Sequence, residues 1–320
     1  PLAMPDDIIE VAVGVLITPD RQILLGERPA GKPWAGWWEL PGGKLEPGES
    51  VMHALARELH EELGIELKSA TPWVTYVHHY PTTTVRLHFC RVTEWVGQPT
   101  GLEKQELKWV DIANATALPD LLPATYPPLR WLQLPDRYLI SPGDNEAGAQ
   151  AFLNRLDCAL TSGVKLVQWR EPGWHGPSMQ KAFETVLARS HEAGAKVLIN
   201  SAHDQALWSL ADGVHFRTAD ARARQTRPES LVNHLVAISA HDEADLDLAG
   251  SFGADFAVLG PVLPTASHPG APPLGWDAFE RLQRHAGMPV FAIGGQTTAM
   301  LDTAQSRGAH GIAGIRQLID

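Results

Sequence analysis

The chain has 320 residues, 44% of them hydrophobic and 20% charged, with a net charge of −11. That length predicts about two domains, and the composition excludes wholesale disorder. The acidic balance argues against a nucleic-acid polymer as partner, because phosphate neutralisation drives such binding. No apolar run approaches the roughly 20 residues that span a bilayer, so no membrane role is expected. Cys90 and Cys158 are too few for a disulfide framework or a zinc site of their own. The N-terminus shows neither a basic cap nor an apolar signal core. Residues before Met4 read as a remnant, and a reducing cytoplasm is the expected compartment.

In chain order, residues 8–17 and 22–25 read as two strands joined by Pro19-Asp20. A helix is expected from Val51 to Leu63, a β pair at 73–79 and 84–95, and a short strand at 106–110. A Pro-rich stretch, Leu121 to Pro135, holds a short helix at Leu129–Leu132. This is an α+β domain covering residues 4–134. From residue 135 to 320 the pattern changes. Eight short apolar runs recur at 137–141, 165–171, 196–201, 213–216, 235–241, 256–262, 290–295 and 311–315. Amphipathic stretches at 146–162, 177–193, 203–211, 242–252, 275–286 and 297–307 separate most of them. Buried-type strands alternating with helices pair in parallel. Eight units suggest a closed (β/α)8 TIM barrel, although the segment is short for that fold, and an open doubly wound sheet is the alternative.

The segment 42–65 carries the chemistry. Pro47-Gly48 makes a turn, Ser50 can cap the helix, and Gly64 can end it in the left-handed conformation. Leu55, Leu59 and Leu63 recur every four residues and form the buried face. Glu58, Glu61 and Glu62 fall on one arc of the helix at i, i+3 and i+4. Three carboxylates on one face repel each other unless a cation sits among them, and a hard ion such as Mg²⁺ takes oxygen ligands and bridges phosphates. A solvated acidic face is the alternative reading. Arg57 and Glu49 flank the cluster and can pair. The fixed positions Gly43, Glu49, Arg57-Glu58-Leu59, Glu61-Glu62 and Gly64-Ile65 resemble the Nudix box throughout. The approach Trp38-Glu39-Leu40-Pro41-Gly42-Gly43-Lys44, the Gly97-Gln98-Pro99 segment with Glu103 and Trp109, and the tail Pro123-Ala124-Thr125 resemble the MutT branch.

That resemblance implies hydrolysis of a nucleoside triphosphate, such as 8-oxo-dGTP or dGTP, to monophosphate and pyrophosphate, with Mg²⁺ (or Mn²⁺) as cofactor. Carried over by position, the Gly42 carbonyl with Glu58, Glu61, Glu62 and Glu103 would hold metal. Glu58 is the implied base, with Glu103 as rival, and Glu61 and Arg57 complete the catalytic set. Arg28, Gly43, Lys44, Tyr80 and Thr125 form the implied substrate-binding set. Trp34, Trp37 and Trp38 are further candidates for stacking on a base. Thr125 stands where guanine-selecting relatives carry asparagine, and a hydroxyl reads a purine edge less fully than an amide. Thiamine diphosphate, or a damaged analogue of it, is the alternative substrate.

The second half resembles the thiamine-phosphate synthases and their tautomerase-like relatives. The resemblance lies in residues 166–171, Asn200, 211–215, Ile238-Ser239-Ala240-His241, 253–255, 259–265, Pro273-Leu274-Gly275 and 292–295. It implies a site at the C-terminal strand ends, with Gly294, Gly295 and Gly314 able to cradle a phosphate. Candidate residues are Gln168, Arg170, Asn200, Asp220, Ser239, His241, Thr265 and Gly295. Pro172 stands where the synthases carry a lysine, Ser201 stands where they carry a metal-binding aspartate, and Thr265-Ala266-Ser267-His268 lacks their loop lysine. These departures predict weak or absent synthase activity. The barrel is left as a binder of a thiazole or thiamine phosphate, a tautomerase using His241, or a non-catalytic scaffold.

Overall fold

The computed structural model describes residues 8–143, 145–267, 269–270 and 272–318. The expectations for Pro1–Asp7 and His268 lie outside the described residues. The chain divides into two compact units between Leu134 and Pro135.

The first unit runs β1 (Ile9–Leu16), β2 (Gln22–Glu27), β3 (Trp38–Glu39), β4 (Gly42–Lys44), α1 (Val51–Leu63), β5 (Glu66–Tyr80), β6 (Thr83–Val96), β7 (Leu107–Asp111) and α2 (Tyr126–Trp131). Two sheets form, ordered β4-β1-β6-β5 and β3-β2-β7. β1 pairs in parallel with β6 and antiparallel with β4. Side chains alternate along β1. Ala12 and Leu16 join the cluster under α1, whereas Val13 and Val15 join the opposite one with Leu129. Gly14 lies between the first two, where an added Cβ would come 3.1 Å from Leu55, so the small residue lets α1 approach the sheet. The helix is capped as expected: Ser50 Oγ accepts from the His53 N–H, and Gly64 closes it at φ +67°.

Four elements depart from expectation here. The strand expected at 73–79 begins at Glu66. Pro72 and three register irregularities along its pairing with β6 had disguised the earlier part as a loop. β3 and β4 are too short for a period-2 signal. α2 begins at Tyr126, because Pro127 and Pro128 occupy its first turn, where a missing N–H costs nothing.

The second unit holds β8 (Arg137–Ile140), α3 (Glu146–Thr161), β9 (Leu166–Trp169), α4 (Pro177–Glu192), β10 (Lys196–Asn200), β11 (Gly213–Phe216), α5 (Thr218–Arg224), β12 (Leu235–Ala240), α6 (Glu243–Phe252), β13 (Phe256–Leu259), α7 (Gly275–Gln283), β14 (Val290–Ile293), α8 (Leu301–Ser306) and β15 (Gly311–Gly314). All eight strands pair in parallel, and β15 meets β8 to close the barrel. The open-sheet alternative is therefore excluded. Short strands, mostly of four residues, fit the fold into the available length. The expected helix at 203–211 is a 3-10 turn at Gln205–Leu210, and the one at 297–307 opens as 3-10 before Leu301. α5 was not expected, because only Ala221 of its seven residues is buried and no apolar period shows. Tyr138, Phe256 and Phe291 pack edge-on or tilted inside the barrel. Among the described residues no helix is long and apolar enough to cross a membrane.

Candidate active site

α1 and the Gly42–Glu49 loop are fastened together by Arg57. Its Nε and Nη2 donate to the two oxygens of Glu49, both at 2.9 Å. Nη2 also reaches the Lys44 carbonyl at 3.0 Å, and Nη1 donates to Glu58 at 2.7 Å and to Glu61 at 3.4 Å. A bidentate guanidinium–carboxylate pair fixes geometry as well as charge. It holds the Glu49 carboxyl down at about 2, with the Arg57 hydrogen bonds as the main cause and the Glu46 N–H next.

Gly43 is required by the carboxylate behind it. An added Cβ there would meet the Glu58 carboxyl carbon at 2.1 Å. Gly42 has a different constraint: its Cβ would strike the Ala12 carbonyl at 2.1 Å. Glu62 Oε2 accepts the Gly42 N–H at 3.3 Å. Burial pushes the Glu62 carboxyl up to about 8; the Gly42 bond opposes this, while Glu103, Glu58 and Glu39 add to it. Glu103 accepts from Lys32 at 3.2 Å on the exposed rim. Glu61 is the most exposed of the helix carboxylates, at 58% against 14% for Glu58. The Lys44 side chain is exposed.

Among the described residues no three His, Cys, Asp or Glu side chains are gathered tightly enough to hold an ion. Each carboxylate of the ridge is instead turned to a donor within the protein. The donor set nonetheless suits a hard cation: it consists of carboxylate and carbonyl oxygens, and it crowds like charges around a buried glutamate.

Beside this ridge, Arg28 Nη1 donates to Glu39 at 2.9 Å and its Nε to the Pro33 carbonyl at 2.8 Å. The Tyr80 hydroxyl lies by the Ala124 backbone and senses the charges of Glu39 and Arg28, and burial raises its pKa. Thr125 is buried next to it in the chain turn. Trp34, 40% exposed, stands edge-on to Trp37 at 4.8 Å and 6.3 Å from Tyr80. His78 stands 4.5 Å from Tyr80. Trp38 does not join this group: it packs into the core beneath Lys108. Glu39, Lys32 and His78 had no individual signal in the sequence. Glu39 lay inside the recognised approach to the Nudix box without a role of its own, Lys32 lay in the loop between Arg28 and Trp34, and only the alternation of β5 could have placed His78.

In the barrel, a cavity of about 620 Å³ opens at the C-terminal strand ends and is lined by Arg170, Ser239, His241, Thr265 and Gly295 among others. Gly295 sits at φ +64°, and a Cβ there would come 2.9 Å from Leu263. Gln168 and Asn200 do not line the cavity; they are buried beneath it and joined at 2.9 Å. Asp220 is held by Arg217, which donates through Nε at 2.7 Å and Nη2 at 3.1 Å, and by the Ser201 hydroxyl at 2.6 Å. His241 is exposed, with Nδ1 3.3 Å from Asp245, whose other oxygen takes Arg222.

Comparison with known proteins separates the units in the same way. Residues 9–132 match the NUDIX domain and residues 137–318 match thiamine monophosphate synthase. Over 108 residues the chain is 41% identical to the 8-oxo-dGTP diphosphatase of Haemophilus influenzae, covering 34% of this chain and 79% of that protein. It is 40% identical over 120 residues to the CTP pyrophosphohydrolase of Escherichia coli, covering 38% and 87%. It is 31% identical over 167 residues to the thiamine-phosphate synthase of Chloroflexus aurantiacus, covering 51% and 76%. The chain thus belongs to two families at once, with a MutT-like Nudix pyrophosphohydrolase domain at its N-terminal end and a thiamine monophosphate synthase-family barrel at its C-terminal end.

Proposed function

We propose that the N-terminal domain hydrolyses 8-oxo-dGTP or dGTP to the monophosphate and pyrophosphate with Mg²⁺, and that the barrel binds a phosphorylated ligand without synthesising thiamine phosphate. The observation that carries the first part is the Arg57 clamp, which sets Glu58 against the Gly43 backbone beside Glu62. Glu58, Glu61, Glu62, Glu103 and the Gly42 carbonyl would hold the metal. Bound there, Mg²⁺ supplies neutralisation of phosphate charge and a lowered pKa for the attacking water. Arg57 keeps α1 and the loop in register, so the ridge meets the diphosphate as a preset surface. Glu58 would accept the proton of the attacking water, with the exposed Glu103 as the second candidate. Arg28, oriented by Glu39, pairs with phosphate oxygens. Trp34, His78 and Tyr80 offer ring faces to the base, and Thr125 reads its edge.

Two features support a barrel without synthase activity. Pro172 and Ser201 supply neither a lysine nor an aspartate, and Asp220 is already satisfied by Arg217 and Ser201. A second substrate reading, thiamine diphosphate, is favoured by the presence of a thiamine-family barrel in the same chain. Comparing kcat/KM for 8-oxo-dGTP, dGTP, CTP and thiamine diphosphate separates these readings. The oxidised guanine nucleotide is expected to lead, and a dominant CTP or thiamine diphosphate activity would overturn the assignment. Glu61→Gln is expected to remove most turnover while leaving the fold intact.

A further inference from the structure

Glu103 belongs neither to α1 nor to the glycine loop. It lies in the segment 97–106 between β6 and β7, yet in the proposed metal set it must act together with Glu58 and Glu62. The backbone of this segment is tied to the end of α1. The last carbonyls of a helix lack donors within the helix, and the segment supplies them. The Thr100 N–H donates to the Leu63 carbonyl and the Leu102 N–H to the Glu62 carbonyl, both at 3.0 Å.

Gln105 completes the tie with one side chain. Its Nε2 donates to the Glu62 carbonyl at 3.1 Å, and its Oε1 accepts the Glu103 N–H at 2.9 Å. An amide can donate and accept at once, so this one joins the backbones of two acidic residues that come from different elements. The chain around Gln105 is held as well. The Glu27 N–H of β2 donates to the Glu106 carbonyl at 2.9 Å. Gly101 lets the segment fold back on itself, because a Cβ there would meet the Gln105 carbonyl oxygen at 2.1 Å.

The Glu103 side chain is held less firmly than its backbone. Its carboxylate meets Lys32 at 3.2 Å on the exposed rim, and exposed pairs of this kind contribute little. It nonetheless lies close enough to act on Glu62. After burial and the Gly42 bond, the charge of Glu103 is the strongest influence on the Glu62 carboxyl, ahead of Glu58.

We propose that Gln105 is a positioning residue for the hydrolytic site: by bridging Glu103 to Glu62 it keeps the Glu103 carboxylate beside the acidic ridge of α1. It acts through Glu103 and touches neither substrate nor ion. The inference rests on the reading of Glu103 as a metal ligand and names the residue that sets its place.

Mn²⁺ is the probe, titrated into the full chain without nucleotide and followed by electron paramagnetic resonance of the free ion. Gln105→Met keeps the length of the side chain and loses both hydrogen bonds. It is expected to weaken Mn²⁺ binding about tenfold, and Glu103→Gln is expected to weaken it at least as much. The double variant decides between a positioning and a merely structural role. Gln105→Met is expected to cost nothing further once Glu103→Gln is present. Should Gln105→Met not fold, Gln105→Asn, too short to span both partners, carries the same comparison. An equal loss in both backgrounds would show that Gln105 supports the helix end in general, and an unchanged affinity in Gln105→Met would show that it supports nothing at the site; either result overturns the proposal. Full Mn²⁺ affinity in Glu103→Gln alone is a different failure: it defeats the metal role of Glu103, and the proposal falls with it.

Discussion

Replacing Gly43 with alanine places a methyl group where the Glu58 carboxyl now lies. The new Cβ would come 2.1 Å from the carboxyl carbon and 2.3 and 2.4 Å from its oxygens. Carbon atoms in contact sit about 3.5–4.0 Å apart, so the carboxyl must retreat by more than about 1 Å. The backbone at Gly43 is not in the left-handed region, so alanine strains no dihedral. The obstructing group is the free end of a side chain, so the fold can yield there, and a stability change within about 1 kcal/mol is expected. Catalysis cannot yield in the same way. The retreat breaks the 2.7 Å bond from Arg57 to Glu58, and a misplacement of about 1 Å costs roughly 100-fold. The assay pairs kcat/KM for 8-oxo-dGTP in Mg²⁺ with thermal unfolding of the same variant. Near-normal turnover in a folded protein would show that Glu58 is not part of the reacting site. Loss of the fold would show that Gly43 serves packing, as Gly42 does.

Two further outcomes follow from the same geometry. Thr125→Asn, at a buried position next in sequence to Ala124, whose backbone meets the Tyr80 hydroxyl, adds an amide that can both donate and accept; the ratio of 8-oxo-dGTP to CTP turnover is expected to rise several-fold, and an unchanged ratio would remove Thr125 from the base pocket. Buried, neutral His203 and His215 make the barrel acid-sensitive. Their pKa values are lowered from 6.5 to about 4 and about 3, chiefly by burial. Between pH 6.5 and about 4 the unfolded chain takes up protons that the folded barrel refuses, so stability falls as pH falls. Going from pH 7 to 5, the loss is on the order of 3 kcal/mol for the pair. Urea unfolding of the barrel transition at the two pH values measures it, and a flat profile would contradict the burial of these rings.

The parts of the site that could be read from the sequence are local ones. The glycine loop, the Arg57–Glu49 pair and the acidic arc lie on one helix and the loop before it, where spacing alone fixes which residues share a face. The barrel was legible for a similar reason: buried strands alternating with amphipathic helices leave few topologies. What escaped is assembled across distance. Glu39 reaches Arg28 from the neighbouring strand, Lys32 reaches Glu103 across a loop, and His78 meets Tyr80 along a strand whose start was hidden by Pro72 and its irregular pairing. Within the barrel, Asp220 lies near the cavity, as its position suggested, but no spacing rule could show that Arg217 neutralises it. The buried hydrogen-bond chain Asn200–Gln168–Tyr138–His215–Ser239 was equally invisible, because it links residues from five different strands.

A crystal structure with Mg²⁺ and a non-hydrolysable 8-oxo-dGTP analogue tests the acidic ridge most directly. The expected result is Glu58, Glu62 and the Gly42 carbonyl at about 2.0–2.1 Å from an ion that also touches the phosphates, with Glu62 having let go of the Gly42 N–H. If the ion binds elsewhere and Glu58 and Glu62 keep their present partners, Arg57 and Gly42, the ridge is a structural feature and the hydrolytic centre lies outside it.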